Sequence, residues 1–577
     1  MAEMATAGQL FARYLVEGNH AASDYFALLK ELVARRNSED PSWQQEIDNV
    51  YALLHREILE NQGNPTEPVT FGTSGWRGRL GKDIFVRSVM VVTSAIVELY
   101  RDLERDSANG RYLGVGSLGE AQRRGCVLGF DNRFDGEVLA AAAANVLLAA
   151  GFTVHYAGES TTGVLSAAVL ELHAAFSINL TPSHNPLQYG GYKYNAADAG
   201  PAAAVLTERI TANARRLMAT DTSTTAGGEF SWQLKESPGL RPFDSLAAWQ
   251  SLVRRNKAVH GLDLDRIIDE FRRRDDIVVA VDSVHGASRL HIRRLFADTA
   301  SDRLLLLRDT ADVTFGGIAP EPSTANMKGV VEAINARPER LKLGAIIDPD
   351  GDRIRFTDGR KEISMNQFGA MAYHFLHEYR GKKGMVAKTV ATSNMANRLA
   401  EAFGEELFEP KVGFKEFKPV IGRALVFFEE SDGISIIGHT PEKDAYIGLL
   451  LALDMVTTTG KNLGECLQDI EDVYGAFYPD RDGVAVRIKG QELLDTLARL
   501  EKYAPGVTIG VGGEKRRITE VITLDGRKMI LDDGSWLMIR PSGTEPKIRF
   551  YVESRTADGT VHLVNTAREM LAEIGLL

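Results

Sequence analysis

Thr181-Pro182-Ser183-His184-Asn185-Pro186 follows directly on an apolar run that ends at Leu180, and a serine in a proline-bounded loop at a strand end is a candidate nucleophile. Lys193, ten residues on and just past Gly190 and Gly191, could return to that serine as an acid/base group, and the neighbouring imidazole of His184 joins the catalytic candidates. A polar turn would use the same Ser, Asn and Pro. A serine hydrolase is a poor alternative, because no GxSxG elbow is present here and adjacent Ser and His side chains rarely form a working dyad. After the run Leu343 to Ile347 comes Asp348-Pro349-Asp350-Gly351-Asp352-Arg353. Carboxylates at every second residue can converge on one hard cation, and ligation by oxygen alone suits Mg²⁺. An EF-hand fails on this segment, since Arg353 stands where that loop needs Gly and Gly359 where it needs a bidentate Glu. Three like charges this close at a buried strand end would repel without a counter-ion, which argues against a solvated acidic turn.

Two further loops have the residue types for holding a phosphorylated sugar. Arg540-Pro541-Ser542-Gly543-Thr544-Glu545-Pro546-Lys547 combines guanidinium, hydroxyls, glycine and ammonium, the groups of a phosphate grip, where a plain hairpin would need none of them. Glu429-Glu430-Ser431-Asp432-Gly433 can accept from and donate to sugar hydroxyls, though alone it would read equally well as an acidic surface loop. The nearby Lys411-Val412-Gly413-Phe414-Lys415 adds a base that could face a phosphate. Together the four segments offer a nucleophilic oxygen, a hard-metal site, a phosphate clamp and a reader of hydroxyls, and the chemistry they share is phosphoryl transfer on a polyol.

Loops of this kind need strand ends to position them. Residues 1–69 carry apolar residues at three-to-four spacing and read as helices, left through the turn-prone Asn61-Gln62-Gly63-Asn64-Pro65. Strand and helix then alternate: Cys126 to Phe130, Gly136 to Ala150, Phe152 to Tyr156, Gly163 to His173 and Ala174 to Leu180. The rhythm returns at Ile277–Val281, Ser288–Phe296 and Leu343–Ile347, and again at Met385–Val390, Met395–Phe403 and Ala424–Phe428. Such alternation predicts βαβ units with mixed or parallel sheets. The C-terminal part changes style, with closely spaced strands at Val484–Ile488, Arg516–Leu524, Met529–Leu531, Trp536–Ile539 and Ile548–Val552 and one closing helix, Val561–Ile574. The expected class is α/β: three mixed-sheet αβα domains and a smaller C-terminal α+β domain, with an N-terminal helical extension. The proposed division is 1–69 for the extension packed on domain 1, then 70–230, 231–360, 361–475 and 476–577.

The 577 residues suit about four domains. With 44% hydrophobic and 25% charged residues the chain has an ordinary globular composition. A formal charge of −11 argues against nucleic acid or an anionic membrane as the main partner. Two cysteines, Cys126 and Cys466, are too few for a zinc cluster or a disulfide framework, and a reducing compartment is the simplest inference. The first twenty residues lack a basic start followed by an apolar core, so no secretory signal is expected. The longest apolar stretch, Val138 to Val154, is short and Ala-rich and reads as a buried helix running into a strand. The expectation is a cytoplasmic protein.

These motifs, in this order, resemble those of the α-D-phosphohexomutase superfamily, the phosphoglucomutases and phosphomannomutases, from Phe71-Gly72-Thr73-Ser74-Gly75-Trp76-Arg77-Gly78 to the Arg540 loop. The resemblance implies four domains around a central cleft, each supplying one loop. It implies that Ser183 is a phosphoserine and a metal ligand, that Asp348, Asp350 and Asp352 bind Mg²⁺ beside it, and that Arg353 belongs to the same loop. Arg77 and Lys193 become acid/base or phosphoserine-contacting groups. Glu429 and Ser431 would hold the sugar with Lys415, and Arg540, Ser542, Gly543 and Thr544 its non-reacting phosphate. Glucose 1,6-bisphosphate would be the intermediate and activator. Three departures stand out: Asp432 follows the serine where the family has Gly or Ala, Thr161-Thr162 replaces a common Thr-Pro, and the helical start is long. Glu429-Glu430-Ser431 and Gly190-Gly191-Tyr192-Lys193-Tyr194-Asn195 look more like glucose-directed members, which makes phosphoglucomutase the expected activity. A hexose-bisphosphate synthase or a phosphomannomutase would use the same site, and a non-catalytic binding homologue is least favoured.

Overall fold

The structure, a computed structural model, describes residues 5–38, 40–72, 74–104, 110–220, 233–234, 236–297, 302–542 and 547–577. Three helices, Ala7–Tyr14, Tyr25–Ser38 and Gln44–Glu60, open the chain. Their apolar faces, including Leu28, Leu32, Val50 and Leu54, enter the same buried cluster as the first sheet, so the extension lies on the first αβα layer. That sheet runs in the order Phe71–Gly72, Gly75–Arg79, Tyr189–Ala196, Phe176–Leu180, Cys126–Phe130, Val154–Glu159, Leu240–Pro242. Cys126–Phe130 is parallel to both Phe176–Leu180 and Val154–Glu159, and Tyr189–Ala196 returns antiparallel to Phe176–Leu180. The helix Val86–Arg101 is Val-rich but buried along most of its length, and packing there overrides the weak helical preference of β-branched residues.

The second sheet is ordered Glu362–Ile363, Ile354–Thr357, Leu341–Ile347, Ile277–Asp282, Leu304–Leu307, and the third Leu407–Phe408, Val386–Lys388, Val426–Glu429, Gly433–Ile436. One apolar cluster serves both, with the nearly all-buried helix Ala445–Thr459 among its members and Val164 and Ala167 entering from the first domain. Residues 288–296, expected as one helix, form a 3₁₀ turn, Ala287–Leu290, and a short helix, Ile292–Leu295.

The fourth sheet is wholly antiparallel, in the order Tyr478–Ala485, Lys547–Ser554, Trp536–Pro541, Arg527–Leu531, Glu514–Ile522, Thr508–Val511, and the helix Ala557–Glu573 covers it over a separate core. The first strand of this part, expected at Val484–Ile488, is Tyr478–Ala485, an edge strand whose alternate residues face solvent. This domain meets the third through Trp536, Met538 and Tyr551 against Val390 and Ala391. Around that small patch the contacts are polar. Lys528 Nζ donates to Val390 O (2.8 Å), and Glu553 accepts from the Asn394 N–H (3.0 Å) and from Trp536 Nε1 (2.9 Å). Glu409 pairs with both Lys388 (2.6 Å) and Lys528 (3.7 Å). No helix among the described residues is long and apolar enough to cross a membrane.

Candidate functional site

Ser183 lies just beyond the strand Phe176–Leu180, fully buried, with φ at 58°. Thr181 shapes the turn: its Oγ1 accepts the Ser183 N–H (2.9 Å) and donates to Asp131 Oδ2 (2.6 Å). Gly191 lets the strand Tyr189–Ala196 pass beneath, since a Cβ there would lie 2.3 Å from Thr181 O. Burial lifts the Asp131 carboxyl to about 6.

The aspartates come from the hairpin between Leu341–Ile347 and Ile354–Thr357, where Ile347 and Ile354 face each other. Asp348 Oδ1 accepts the N–H groups of Asp352 and Arg353, both at 3.1 Å, which curls the loop so that one oxygen from each of Asp348, Asp350 and Asp352 lies within 4.8 Å of the others. Ser183 Oγ donates to Asp348 Oδ2 at 3.0 Å and lies 3.4 Å from Asp352 Oδ1. Lys193 Nζ bridges Asp350 Oδ2 (2.5 Å) and Asp352 Oδ2 (2.7 Å). Burial works against the charge on Lys193, but the two aspartates hold its ammonium above the ordinary lysine range. Burial and its two acidic neighbours push Asp348 well up, while Lys193, Lys443 and Arg353 outweigh burial at Asp352 and hold it well down.

The set fits a hard divalent cation. All donors are oxygens, the carboxylates are buried, and Asp350 Oδ1 is a buried acceptor without a hydrogen-bond partner among the described residues. Asp348, Asp350, Asp352 and Ser183 Oγ would hold Mg²⁺ there.

Thr162, unmarked as a functional residue in the sequence, explains one departure from the family pattern. Its N–H donates to Asp350 O (2.7 Å), which a proline could not do, and its Oγ1 donates to Asp350 Oδ2 (2.7 Å). Asp432 explains another. It adopts φ 70°, a conformation that Gly, Asn and Asp tolerate best, and its buried carboxylate takes Arg355 Nε (3.2 Å) and Nη2 (2.8 Å). Its carbonyl accepts the Ile354 N–H (2.9 Å), so the loop from Glu429 to Gly433 is pinned to the strand that leaves the aspartate loop.

Within that loop Ser431 Oγ donates to Glu429 Oε1 (2.8 Å). Lys443, also missed in the sequence, ties the two loops together through Glu429 Oε1 (3.3 Å) and Asp352 Oδ2 (3.4 Å). The available signal was the charged triplet Glu442-Lys443-Asp444 ahead of an apolar helix. Arg77, on Gly75–Arg79, donates to Asn185 Oδ1 (3.0 Å). His184 Nδ1 lies 3.4 Å from Ser183 Oγ, and burial together with Arg353 and Arg77 keeps its imidazole neutral. Arg353 Nε lies 3.6 Å from Asp352 Oδ1. Lys415 sits half-buried on the 3₁₀ segment Phe414–Val420 and makes no hydrogen bond or ion pair to the other candidates among the described residues.

Arg540 ends the strand Trp536–Pro541 directly opposite Arg549, and its Nε lies 3.2 Å from Asp525 Oδ2. Arg481 is the cross-strand partner of Tyr551, two residues on from Arg549, so Arg481, Arg540 and Arg549 project from one face of the sheet. Like charges so placed repel unless an anion is near. Arg481 Nη2 also lies 3.8 Å from Asp432 Oδ2, which joins this face to the loop from Glu429 to Gly433. The Ser542 N–H donates to Lys547 O (2.8 Å) across the loop, while Gly543 and Thr544 lie outside the described residues.

The chain matches four descriptions in sequence: phosphoglucomutase/phosphomannomutase alpha/beta/alpha domain I over residues 68–221, domain II over 263–361, domain III over 364–474 and the C-terminal domain over 483–569. A phosphoglucomutase/phosphomannomutase of Thermococcus kodakarensis is 25% identical over 514 residues, covering 87% of this chain and 98% of that protein. A phosphoglucomutase of Komagataeibacter xylinus is 25% identical over 540 residues, covering 85% and 88%. The crystal structure of a putative phosphomannomutase from Thermus thermophilus superposes with a TM-score of 0.68 at 24% identity, over 88% of this chain and 99% of that one, and shares the fold.

Proposed function

The chain belongs to the phosphoglucomutase/phosphomannomutase family and is an isomerase of the phosphohexomutase class; within that class we propose that it interconverts glucose 1-phosphate and glucose 6-phosphate through a phosphorylated Ser183 and a glucose 1,6-bisphosphate intermediate. The observation that carries this reading is the packing of Ser183 Oγ against Asp348 (3.0 Å) and Asp352 (3.4 Å), with the Lys193 ammonium on the same carboxylate cluster. Bound at the aspartates, Mg²⁺ would offset charge on the transferring oxygens.

The chain's own groups divide the remaining work. In the forward step the bond between Ser183 Oγ and phosphorus breaks as one from phosphorus to a sugar hydroxyl oxygen forms, and the hydroxyl's proton ends on Ser183 Oγ. Lys193, kept as an ammonium, supplies positive charge to the leaving side. When the other phosphoryl group returns, Ser183 Oγ attacks it and the serine proton passes to the sugar oxygen that is released, with His184 Nδ1, 3.4 Å from Ser183 Oγ, placed to relay it. Glu429 and Ser431 would hold the sugar hydroxyls, with Lys415 flanking. Arg540, aided by Ser542, Gly543 and Thr544, would grip whichever phosphate is not reacting, so either end of the sugar must be accepted. Glucose 1,6-bisphosphate would act as activator by keeping Ser183 phosphorylated. The division of the chain after residues 69, 230, 360 and 475 belongs to the same proposal, and so does a cytoplasmic location, which agrees with two buried free cysteines.

A coupled assay with Mg²⁺ and glucose 1,6-bisphosphate tests the substrate. Turnover of glucose 1-phosphate in preference to mannose 1-phosphate is expected. Silence with glucose 1-phosphate, or accumulation of free bisphosphate from a phosphoryl donor, would overturn it.

A further inference from the structure

Ser183 holds a positive φ that an L-residue adopts at a cost of about 1 kcal/mol, so the surroundings must impose it. The group placed to do so is Arg133. Its Nη2 donates to the carbonyls of Ser183 (2.8 Å) and Asn185, and its Nη1 to those of Pro186 (2.8 Å) and Tyr189 (3.3 Å). A planar fork of fixed donors reading four carbonyls of one loop sets that loop's shape.

Arg133 is itself gripped from two sides. Its guanidinium lies 4.9 Å from the ring centroid of Phe315, a fully buried residue in the left-handed region (φ 53°) contributed by the turn 312–317 of the second domain. On the other side Asp131 Oδ2 lies 3.5 Å from Arg133 Nε and also takes the Thr181 hydroxyl that caps Ser183.

Both turns are held by the N-terminal helices. On Tyr25–Ser38, Arg36 reaches Thr314 Oγ1 (3.3 Å) and Asp312 (3.6 Å), and Asn37 donates to Gly316 O (2.9 Å). A Cβ on Gly317 would meet Val33 at 2.9 Å, which shows how closely that helix lies on the turn. On Gln44–Glu60, the Tyr51 ring packs against Phe134, centroids 4.4 Å apart and planes tilted by 36°, and His55 Nδ1 lies 2.9 Å from Asp135, a residue at φ 56°. One helix thus grips the second-domain turn over Arg133, and the other grips the first-domain turn that contains it.

We propose that the N-terminal extension is a strut that fixes the Ser183 loop through Arg133, which makes Arg133 a positioning residue and Arg36, Asn37 and His55 the contacts that hold it. Its consequence for turnover rests on the reading of Ser183 as the phosphoryl carrier; its consequence for loop order does not.

The test is hydrogen exchange of the segment 181–189 in the full chain, for wild type, the double variant Arg36→Ala/Asn37→Ala, His55→Ala, Arg133→Lys and Arg133→Met, with melting temperature and the kcat and KM of the mutase reaction measured alongside. Arg36→Ala/Asn37→Ala and His55→Ala are expected to speed exchange at 181–189 without slowing or speeding it in Ile277–Asp282. They should lower kcat about tenfold, as misplacement of a reacting group does, with KM and melting temperature little changed. Arg133→Met should do so more strongly than Arg133→Lys, and adding Arg36→Ala/Asn37→Ala to Arg133→Met should cost nothing further, because the helix acts through Arg133. Unchanged exchange in the helix variants, or losses that simply add, would overturn the strut. Faster loop exchange in a protein whose Ser183 takes up no phosphoryl group would leave the strut standing and defeat the functional reading.

Discussion

On the Asp348 side the site rests on an apolar cluster that runs without a break from the second sheet into the third and draws in Val164 and Ala167 of the first domain, and the strand that carries Ser183 packs beside it in the first domain's own cluster, whereas the Arg540 end rests on a core of its own. At the first end several polar groups are fixed by a neighbour from another domain: Thr162 on Asp350, Lys193 on Asp350 and Asp352, Lys443 on Asp352, Arg355 on Asp432. At the second end a small apolar patch is surrounded by hydrogen bonds and by two buried lysines that share Glu409. Fused cores do not slide without breaking packing, while a small polar interface between domains is the kind that opens and recloses. On the proposed mechanism the difference would set phosphoryl transfer on a rigid floor and phosphate capture on a part able to dock and release, as a site needs when its intermediate must turn over.

The sharpest way to break this contrast is at the floor. Asp350→Asn should lower kcat about 10³-fold, the scale of removing one preorganised electrostatic group, and steady-state kinetics against Mg²⁺ concentration will show whether the loss is in metal use. At the clamp, Arg540→Ala should instead raise KM for the sugar phosphate by about ten- to a hundredfold, the loss of one charge-assisted contact of about 1.5–3 kcal/mol, with a smaller change in kcat. A clamp variant that lost kcat with KM unchanged would erase the distinction.

Thr162→Val tests the floor's supports. It removes a hydroxyl from Asp350 while keeping the N–H, and Mg²⁺ affinity measured by titration should fall about tenfold, as for partners that orient metal ligands. The smallest effect is expected at the hinge. Burial, with Lys388 beside it and only Glu409 and Glu553 against it, pushes Lys528 down to about 7, below the ordinary lysine value of about 10.4. Between these values the undocked state binds more protons, so docking of the C-terminal domain strengthens as pH rises from about 7 and is weakest below it. Small-angle scattering from pH 6 to 9 should show compaction in wild type and no pH response in Lys528→Met.

Much of the site's floor was legible because its residues are neighbours in sequence. Asp348, Asp350 and Asp352 lie on one turn, Ser183 follows a plain apolar strand, and Arg540 sits between two strong strand patterns. Thr162, Lys443 and Arg133 were not, since each acts on a partner far away in the chain and looks like ordinary loop polarity by itself. Arg133 did leave a trace, because Asp131-Asn132-Arg133 stands at the end of the strand Cys126–Phe130, where functional groups gather. The alternating domains were readable from periodicity, yet the start of the strand Tyr478–Ala485 was hidden by Asp480, Arg481 and Asp482, whose charges suit an edge and mask its alternation.

The central claim is that Ser183 carries the phosphoryl group between the two ends of the sugar. Intact mass before and after incubation with glucose 1,6-bisphosphate tests it most directly. Wild type should gain one phosphoryl group, return it to glucose 1-phosphate or glucose 6-phosphate, and lose this ability in Ser183→Ala. A protein that isomerises hexose phosphate while never gaining that mass, or one in which Ser183→Ala still gains it, would contradict the account.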